Sequence, residues 1–145
     1  MPLKIPHRLI AELISLAKQD EPNECCGLLL GVGDEADEIH PMTNVNPRPI
    51  VKYTMESREL AEVRRAARES NRELVAIYHS HTFKEAYPSA TDIASAKKVA
   101  GISTTHVIIS LAHKMQPVVR AFSINGHSEP TELAVETDGV PHRAV

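Results

Sequence analysis

One short segment constrains this chain more than any other. The apolar run Leu74-Val75-Ala76-Ile77-Tyr78 continues directly into His79-Ser80-His81. A short run of this kind, rich in strand-favouring side chains, predicts a buried strand over residues 74–80. Side chains alternate along a strand, so His79 and His81 leave the same face at its C-terminal end. Asp92 follows in the first turn of the next predicted helix. Two imidazoles and a carboxylate suit zinc, and three protein ligands leave a fourth position for water, the pattern of a catalytic site. A plainer reading of the same residues stands beside this one. Ser89-Ala90-Thr91-Asp92 is a good helix start, with Ser89 as the cap and Asp92 reaching back. The two readings are compatible, because a capped helix holds Asp92 in one place.

The flanking segments supply a sheet and its cover. Residues 6–19 predict an amphipathic helix, since Leu9, Ile10, Leu13, Ile14 and Ala17 recur at helical spacing and Pro22 lies just past its end. Residues 26–30 form a short apolar run and predict a buried strand. Residues 33–37 are a polar turn, residues 38–45 a second strand with Pro41 marking an edge or bulge, and residues 50–55 a further strand. Residues 56–71 predict a charged helix with Leu60, Val63 and Ala67 as its core stripe. Its Arg64, Arg65, Arg68 and Arg72 resemble a basic patch, but Arg58–Glu62 and Arg65–Glu69 are spaced as helix ion pairs, which favours a solvated face. Residues 90–100 predict a helix closed by Gly101. Strands are expected at residues 105–111 and 118–124, joined by a short turn. Asn125-Gly126 is a hairpin signal leading to a strand at residues 132–136. The expected domain covers residues 1–136, with residues 137–145 a loose tail. The fold class is mixed α/β (α+β), a central mixed β-sheet flanked by helices.

Composition narrows the classes of function. The 145 residues make one domain, and 42% hydrophobic with 24% charged residues is a normal balance for a chain that buries its own core. A formal charge of -3 and only 3% aromatic residues speak against nucleic-acid binding. No apolar run approaches the ~18 residues of a membrane span, and the N-terminal residues lack the pattern of a signal peptide. Cys25 and Cys26 are adjacent, which disfavours a disulfide between them, so a cytoplasmic location is expected. Cys26 is read as a core strand residue, while Cys25 is a candidate to face the site. His7, His40, His106, His113, His127 and His142 have no ligand-like spacing and are read as structural or surface residues.

Other chemistries fit poorly. The chain has no H-E-x-x-H, no deaminase H-x-E with P-C-x-x-C, no phosphate-binding G-x-x-x-x-G-K, and no nucleophile elbow around Ser89. Instead, H-S-H, seven residues and then S-x-x-D resembles the metal motif of the JAMM, or MPN+, zinc metalloproteases. Pro22-Asn23-Glu24-Cys25-Cys26-Gly27-Leu28-Leu29-Leu30-Gly31 is similar to that family's upstream glutamate segment. The resemblance implies a single JAB/MPN-like domain of the small stand-alone bacterial type. It implies zinc held by His79, His81 and Asp92. It also implies Glu24 as the general acid/base that activates water, and Ser89 as the group that steadies the oxyanion. Relatives that cut ubiquitin chains carry insertions around the site, whereas here only the motif's own seven residues separate His81 from Ser89. The implied substrate is therefore the C-terminal tail of a small ubiquitin-like sulfur-carrier protein. Alternatives are cell-wall peptide, another ubiquitin-like conjugate, or a zinc-stabilised interaction module without catalysis; a general base at Glu24 favours an enzyme. Phe83 and Tyr87, two of the few aromatics (Tyr 3, Phe 2, no Trp), lie between His81 and Ser89 and are candidate substrate-binding residues. The plainer reading tucks Phe83 into the core and lets Tyr87 precede Pro88 in extended backbone. The sequence does not define an oligomeric state.

Overall fold

The predicted histidine-bearing strand lies at the middle of a mixed sheet. The computed structural model describes residues 2–143. Its elements are β1 (Leu3–Lys4), α1 (His7–Asp20), β2 (Cys26–Val32), β3 (Glu35–Met42), α2 (Ser57–Glu69), β4 (Glu73–His81), α3 (Ala90–Val99), β5 (Thr105–Ser110), β6 (Val118–Ser123), β7 (Thr131–Leu133), β8 (Val135–Thr137) and β9 (Val140–Pro141). The strand order is β7-β6-β5-β4-β2-β3-β1-β8-β9. β4 runs antiparallel to β2 and parallel to β5. A parallel neighbour requires a crossover, and the segment carrying α3 provides it.

Strand alternation distributes the apolar side chains between two faces. On one face α1 buries Leu9, Ile10, Leu13 and Ala17 against Cys25, Leu29, Ala76, Tyr78, Val107 and Ile109. On the other, Val63 and Ala67 of α2 pack with Cys26, Leu28, Leu30 and Ile77. Beside them Ala96 of α3 packs with Ala86, Ile108, Phe122 and Ile124. Gly27 has a steric reason to lack a side chain: a Cβ there would fall 2.5 Å from the Tyr78 hydroxyl.

The sheet curls until its two ends nearly meet. β7 pairs with β6 and β8 pairs with β1, yet only Ala134 separates β7 from β8. Leu3 N–H donates to the Ala134 carbonyl at 2.9 Å, which ties this crossing point to the N-terminal strand. The α1 face therefore lies inside the curl.

Several local expectations change. The turn expected over residues 33–37 shrinks to Gly33 and Asp34, because β3 already pairs at Glu35 with Val32. Pro41 sits on β3 where expected for an edge: β1 reaches β3 only at Glu35, so no strand lies outside Pro41. Residues 50–55 do not form a strand. Met55 makes a single bridge to Asn44, and the Asn44 side chain holds the rest by donating to Lys52 O and accepting from Thr54 N. Helix α3 ends on Ala100 in right-handed conformation, with the Ile102 and Ser103 amides bonded back to Val99, rather than on a left-handed Gly101. Asn125-Gly126 is not a two-residue hairpin. The Asn125 side chain accepts from His127 and Ser128 and shapes a longer connection. The strand expected at residues 132–136 is split at Ala134 between opposite ends of the sheet. Beyond it, Thr137 and Val140 pair across Asp138-Gly139, whose φ values of 50° and 86° suit a tight hairpin turn. The tail expected to be loose thus begins with an ordered hairpin, and residues 144–145 lie outside the described residues. Among the described residues no helix is long and apolar enough to cross a membrane.

Candidate metal centre

The site is assembled at the C-terminal end of β4. Cys26 of β2 lies opposite His79, and Glu24 extends two residues further along the same face. The His79 and His81 imidazoles are buried, and their Nε2 atoms stand 3.1 Å apart. Asp92 Oδ2 is 3.1 Å from both. It also accepts the Ser89 N–H at 2.9 Å while Ser89 Oγ accepts the Asp92 N–H at 3.0 Å, a complete capping box at the start of α3. The capping reading of Ser89 and Asp92 holds, and the same cap leaves Asp92 Oδ2 beside both imidazoles.

His81 is oriented by a hydrogen bond. Its Nδ1 lies 2.8 Å from the Glu85 carbonyl, an acceptor only, so Nδ1 carries a proton and Nε2 is the nitrogen turned toward the site. His79 is held differently. Its Nδ1 has no partner, and its ring stacks on Tyr53 at 4.5 Å with 21° between planes. Glu24 is 1% exposed, and neither carboxylate oxygen has a hydrogen-bond partner. Glu24, His79 and His81 each offer a donor atom within 4.8 Å of one another. The Glu24 backbone is fixed by its N–H to Pro49 O at 2.7 Å and by Asn44 Nδ2 to its carbonyl at 2.9 Å.

Charge follows from this burial. Desolvation pushes the Glu24 pKa up, and the opposing charges of His79 and His81 do not cancel it. Desolvation would also raise Asp92, but the His79 charge and the hydrogen bonds from His79, His81 and Ser89 hold it well below the usual carboxylate range. Desolvation pushes the Cys25 thiol up to about 11 and the Cys26 thiol up to about 12, so neither is a thiolate at neutral pH. Cys25 points to the α1 face, away from the site, and Cys26 is a core residue as read.

The donor set fits zinc. Tetrahedral bonds of about 2.0–2.1 Å place ligand atoms about 3.3 Å apart, close to the 3.1 Å edges of the His79, His81 and Asp92 triangle. Glu24 lies beside the same triangle, with a donor atom within 4.8 Å of those of His79 and His81.

The candidate aromatics are not core. Phe83 is 68% and Tyr87 54% exposed, although Tyr87 touches Phe122 edge-on at 5.4 Å. Two neighbours of the site were not picked out by the sequence. Tyr53 comes from the segment read as a strand, and Lys84 Nζ stands 4.0 Å from Glu24 Oε2. An aromatic in a Pro- and Asn-rich loop was the available signal for Tyr53; a lysine inside the motif was the signal for Lys84. Of the remaining histidines, His106 is buried on β5 and exposed His113 faces Glu85 at 3.2 Å.

Residues 6–125 match the family described as prokaryotic homologs of the JAB domain. The CysO-cysteine peptidase of Mycobacterium tuberculosis is 37% identical over 119 residues, covering 80% of this chain and 78% of that protein. The probable TtuB-protein conjugate cleaving protease of Thermus thermophilus is 33% identical over 95 residues, covering 66% and 64%. Among solved structures, protein DSY2949 of Desulfitobacterium hafniense superposes with a TM-score of 0.77 at 26% identity, covering 93% of this chain and 92% of that one. The match over residues 6–125 and the identity to these relatives show that the chain belongs to the prokaryotic JAB-domain family.

Proposed function

We propose that this chain is a zinc metallopeptidase that hydrolyses an amide bond at the C-terminal tail of a small ubiquitin-like sulfur-carrier protein. The observation that carries the reading is the Glu24 carboxylate, which is buried, without a hydrogen-bond partner, and close to the two imidazoles. A purely structural zinc site gives no use to such a group, because a buried carboxylate without hydrogen bonds is destabilising.

His79, His81 and Asp92 hold the zinc in this reading. When bound, zinc supplies Lewis acidity toward a carbonyl and a water. Glu24 takes a proton from the attacking water and delivers it to the leaving amine; its raised pKa moves it toward the value such a dual role needs. Ser89 Oγ accepts from the Asp92 amide, which leaves its own O–H proton to donate to the carbonyl oxygen as charge develops. Phe83 and Tyr87, exposed on the loop between the ligands, flank the incoming tail. A Gly-Gly tail presents mostly backbone, and flat rings suit it as a contact surface.

The substrate class rests on relatives and resemblance together. One relative is named for a CysO-cysteine bond and another for TtuB-protein conjugates, so both names describe release from a conjugate. The second name favours a second reading, cleavage of a carrier from a larger protein. The test is incubation of the zinc-reconstituted protein with ubiquitin-like sulfur carriers extended past Gly-Gly, followed by intact-mass measurement. Trimming to Gly-Gly by wild type and not by Glu24→Gln is expected. Full-length carriers throughout, with zinc content verified, would overturn the reading.

A further inference from the structure

Lys84 has a position that the hydrolysis described so far does not use. Its backbone is clamped from both sides: Ser110 Oγ donates to the Lys84 carbonyl at 2.6 Å, and the next carbonyl, of Glu85, accepts from His81 Nδ1 at 2.8 Å. The anchored loop projects the side chain toward the site, where Nζ stands 4.0 Å from Glu24 Oε2. The side chain is 45% exposed while that of Glu24 is 1% exposed, so the ammonium sits at the mouth and the carboxylate beneath it. Among the described residues it is the lysine or arginine paired with Glu24, and at the outer limit of ion-pair distance its charge is left available to a second anion. Tuning Glu24 is not its main effect, since burial and the two imidazoles outweigh it there.

Resting on the peptidase reading above, we propose that Lys84 binds the α-carboxylate of a single amino acid attached to the carrier tail, and so selects tails extended by one residue over tails joined to a lysine side chain. The argument is one of covalent distance. Hydrolysis breaks the C–N bond, water oxygen bonds to the tail's carbonyl carbon, and Glu24 passes the proton to the departing nitrogen. When the leaving group is one amino acid, that nitrogen is an α-amine, and its carboxylate hangs on the adjacent carbon. A nitrogen within hydrogen-bond reach of Glu24 thus places a carboxylate beside Lys84 Nζ. When the leaving group is a lysine side chain, four methylenes separate the nitrogen from its Cα and no carboxylate is there. An uncompensated ammonium then faces only Glu24.

The experiment compares three substrates built on one carrier ending in Gly-Gly: a terminal residue as the free acid, the same residue as its C-terminal amide, and a peptide joined through a lysine side chain. Wild type and Lys84→Met, equal in zinc content and melting temperature, are assayed on each. Wild type is expected to prefer the free acid over the amide by about tenfold to a hundredfold in kcat/KM, the range for a charge-assisted contact. In Lys84→Met that ratio falls to about one, and Lys84→Arg restores part of it. A ratio unchanged by Lys84→Met, or equal rates on acid and isopeptide in wild type, overturns the proposal. A binding arm separates this from failure of the peptidase reading. Glu24→Gln and the double variant Glu24→Gln/Lys84→Met are titrated with the acid and amide carriers and followed by NMR. Tighter binding of the acid only when Lys84 is present supports the proposal even if no substrate is cut, and equal binding refutes it.

Discussion

Cys26 and His79 sit directly opposite each other across the β2–β4 pair. That register places Glu24, two residues before Cys26, on the face from which both imidazoles project. A slip of one residue would turn Glu24 toward α1 and leave Asp92 as the carboxylate beside the imidazoles. Ser80 guards the register, because its Oγ accepts the Cys25 N–H at 2.8 Å and its own N–H donates to the Cys25 carbonyl at 3.0 Å.

Replacing Glu24 separates chemistry from binding. Glu24→Gln is expected to keep zinc and lose about 10²–10⁴ of hydrolysis, since an amide cannot accept the proton. Its stability has the opposite sign. The raised pKa means the fold favours the neutral acid, so wild type loses stability as pH rises from the ordinary 4.5 through the raised value. In chelator at pH 7.5, Glu24→Gln should melt at or above wild type, and the gap should close near pH 4. A lower melting temperature at pH 7.5 would contradict a Glu24 carboxyl that burial favours in its neutral form.

The capping box gives Ser89 and Asp92 distinguishable fates. Ser89→Ala should cost about 1 kcal/mol in denaturant unfolding through the lost cap. It should also slow hydrolysis about tenfold to a hundredfold, less than loss of Glu24. Asp92→Asn keeps an oxygen able to accept the Ser89 N–H, so most helix stability should remain while bound zinc disappears. Metal analysis beside unfolding curves for the two variants checks both halves.

Phe83 and Tyr87 are exposed enough for a ring to be removed without opening the core. Phe83→Leu should leave zinc content and melting temperature unchanged and lower kcat/KM severalfold. Tyr87→Leu should behave likewise, with an added loss of about 0.5–1 kcal/mol from its edge contact on Phe122. Unaltered kinetics at both positions would remove them from the substrate surface.

Tyr53 orients His79, whose Nδ1 has no hydrogen bond. Tyr53→Phe keeps the stacked face and should leave zinc affinity unchanged. Tyr53→Ala frees the imidazole and should weaken zinc by about tenfold, the scale seen for groups that hold a metal ligand in place. Competition with a chromogenic chelator measures both.

Acid stability should carry the mark of His106. It is 2% exposed, and desolvation, helped by the nearby His79 charge, pulls its pKa from 6.5 down to about 4. The unfolded chain protonates this imidazole first, so stability is lost as pH falls from 6.5 to 4, on the order of 3 kcal/mol. Urea titrations over that window should show a slope in wild type that His106→Asn reduces.

The site was more legible than the sheet. The shared face of His79 and His81 follows from strand alternation, and the placement of Asp92 beside them follows from a capped helix start. Glu24 required a resemblance, because nothing local says which strands will be neighbours. Tyr53 stayed hidden for a related reason: the segment looks strand-like, yet Asn44 captures its backbone groups with one side chain. The division of residues 131–137 between two ends of the sheet was beyond local pattern, since Ala134 carries no turn signal and its role comes from the curl. The Asp138-Gly139 hairpin was legible in principle, but position near the chain end weighed more than its turn residues.

The seam at Ala134 also sets the order in which this protein can be completed. Leu3 and Lys4 pair with Val135 and Glu136, so this seam joins residues more than 130 positions apart along the chain. Until that pairing forms, β1 lacks its outer neighbour and α1 has an open side. Contacts this distant along the chain slow folding, because the loop between them must close before they can contribute. The histidine-bearing strand and its capped helix need none of that seam. His79, His81 and Asp92 can therefore come together before the sheet around α1 has closed.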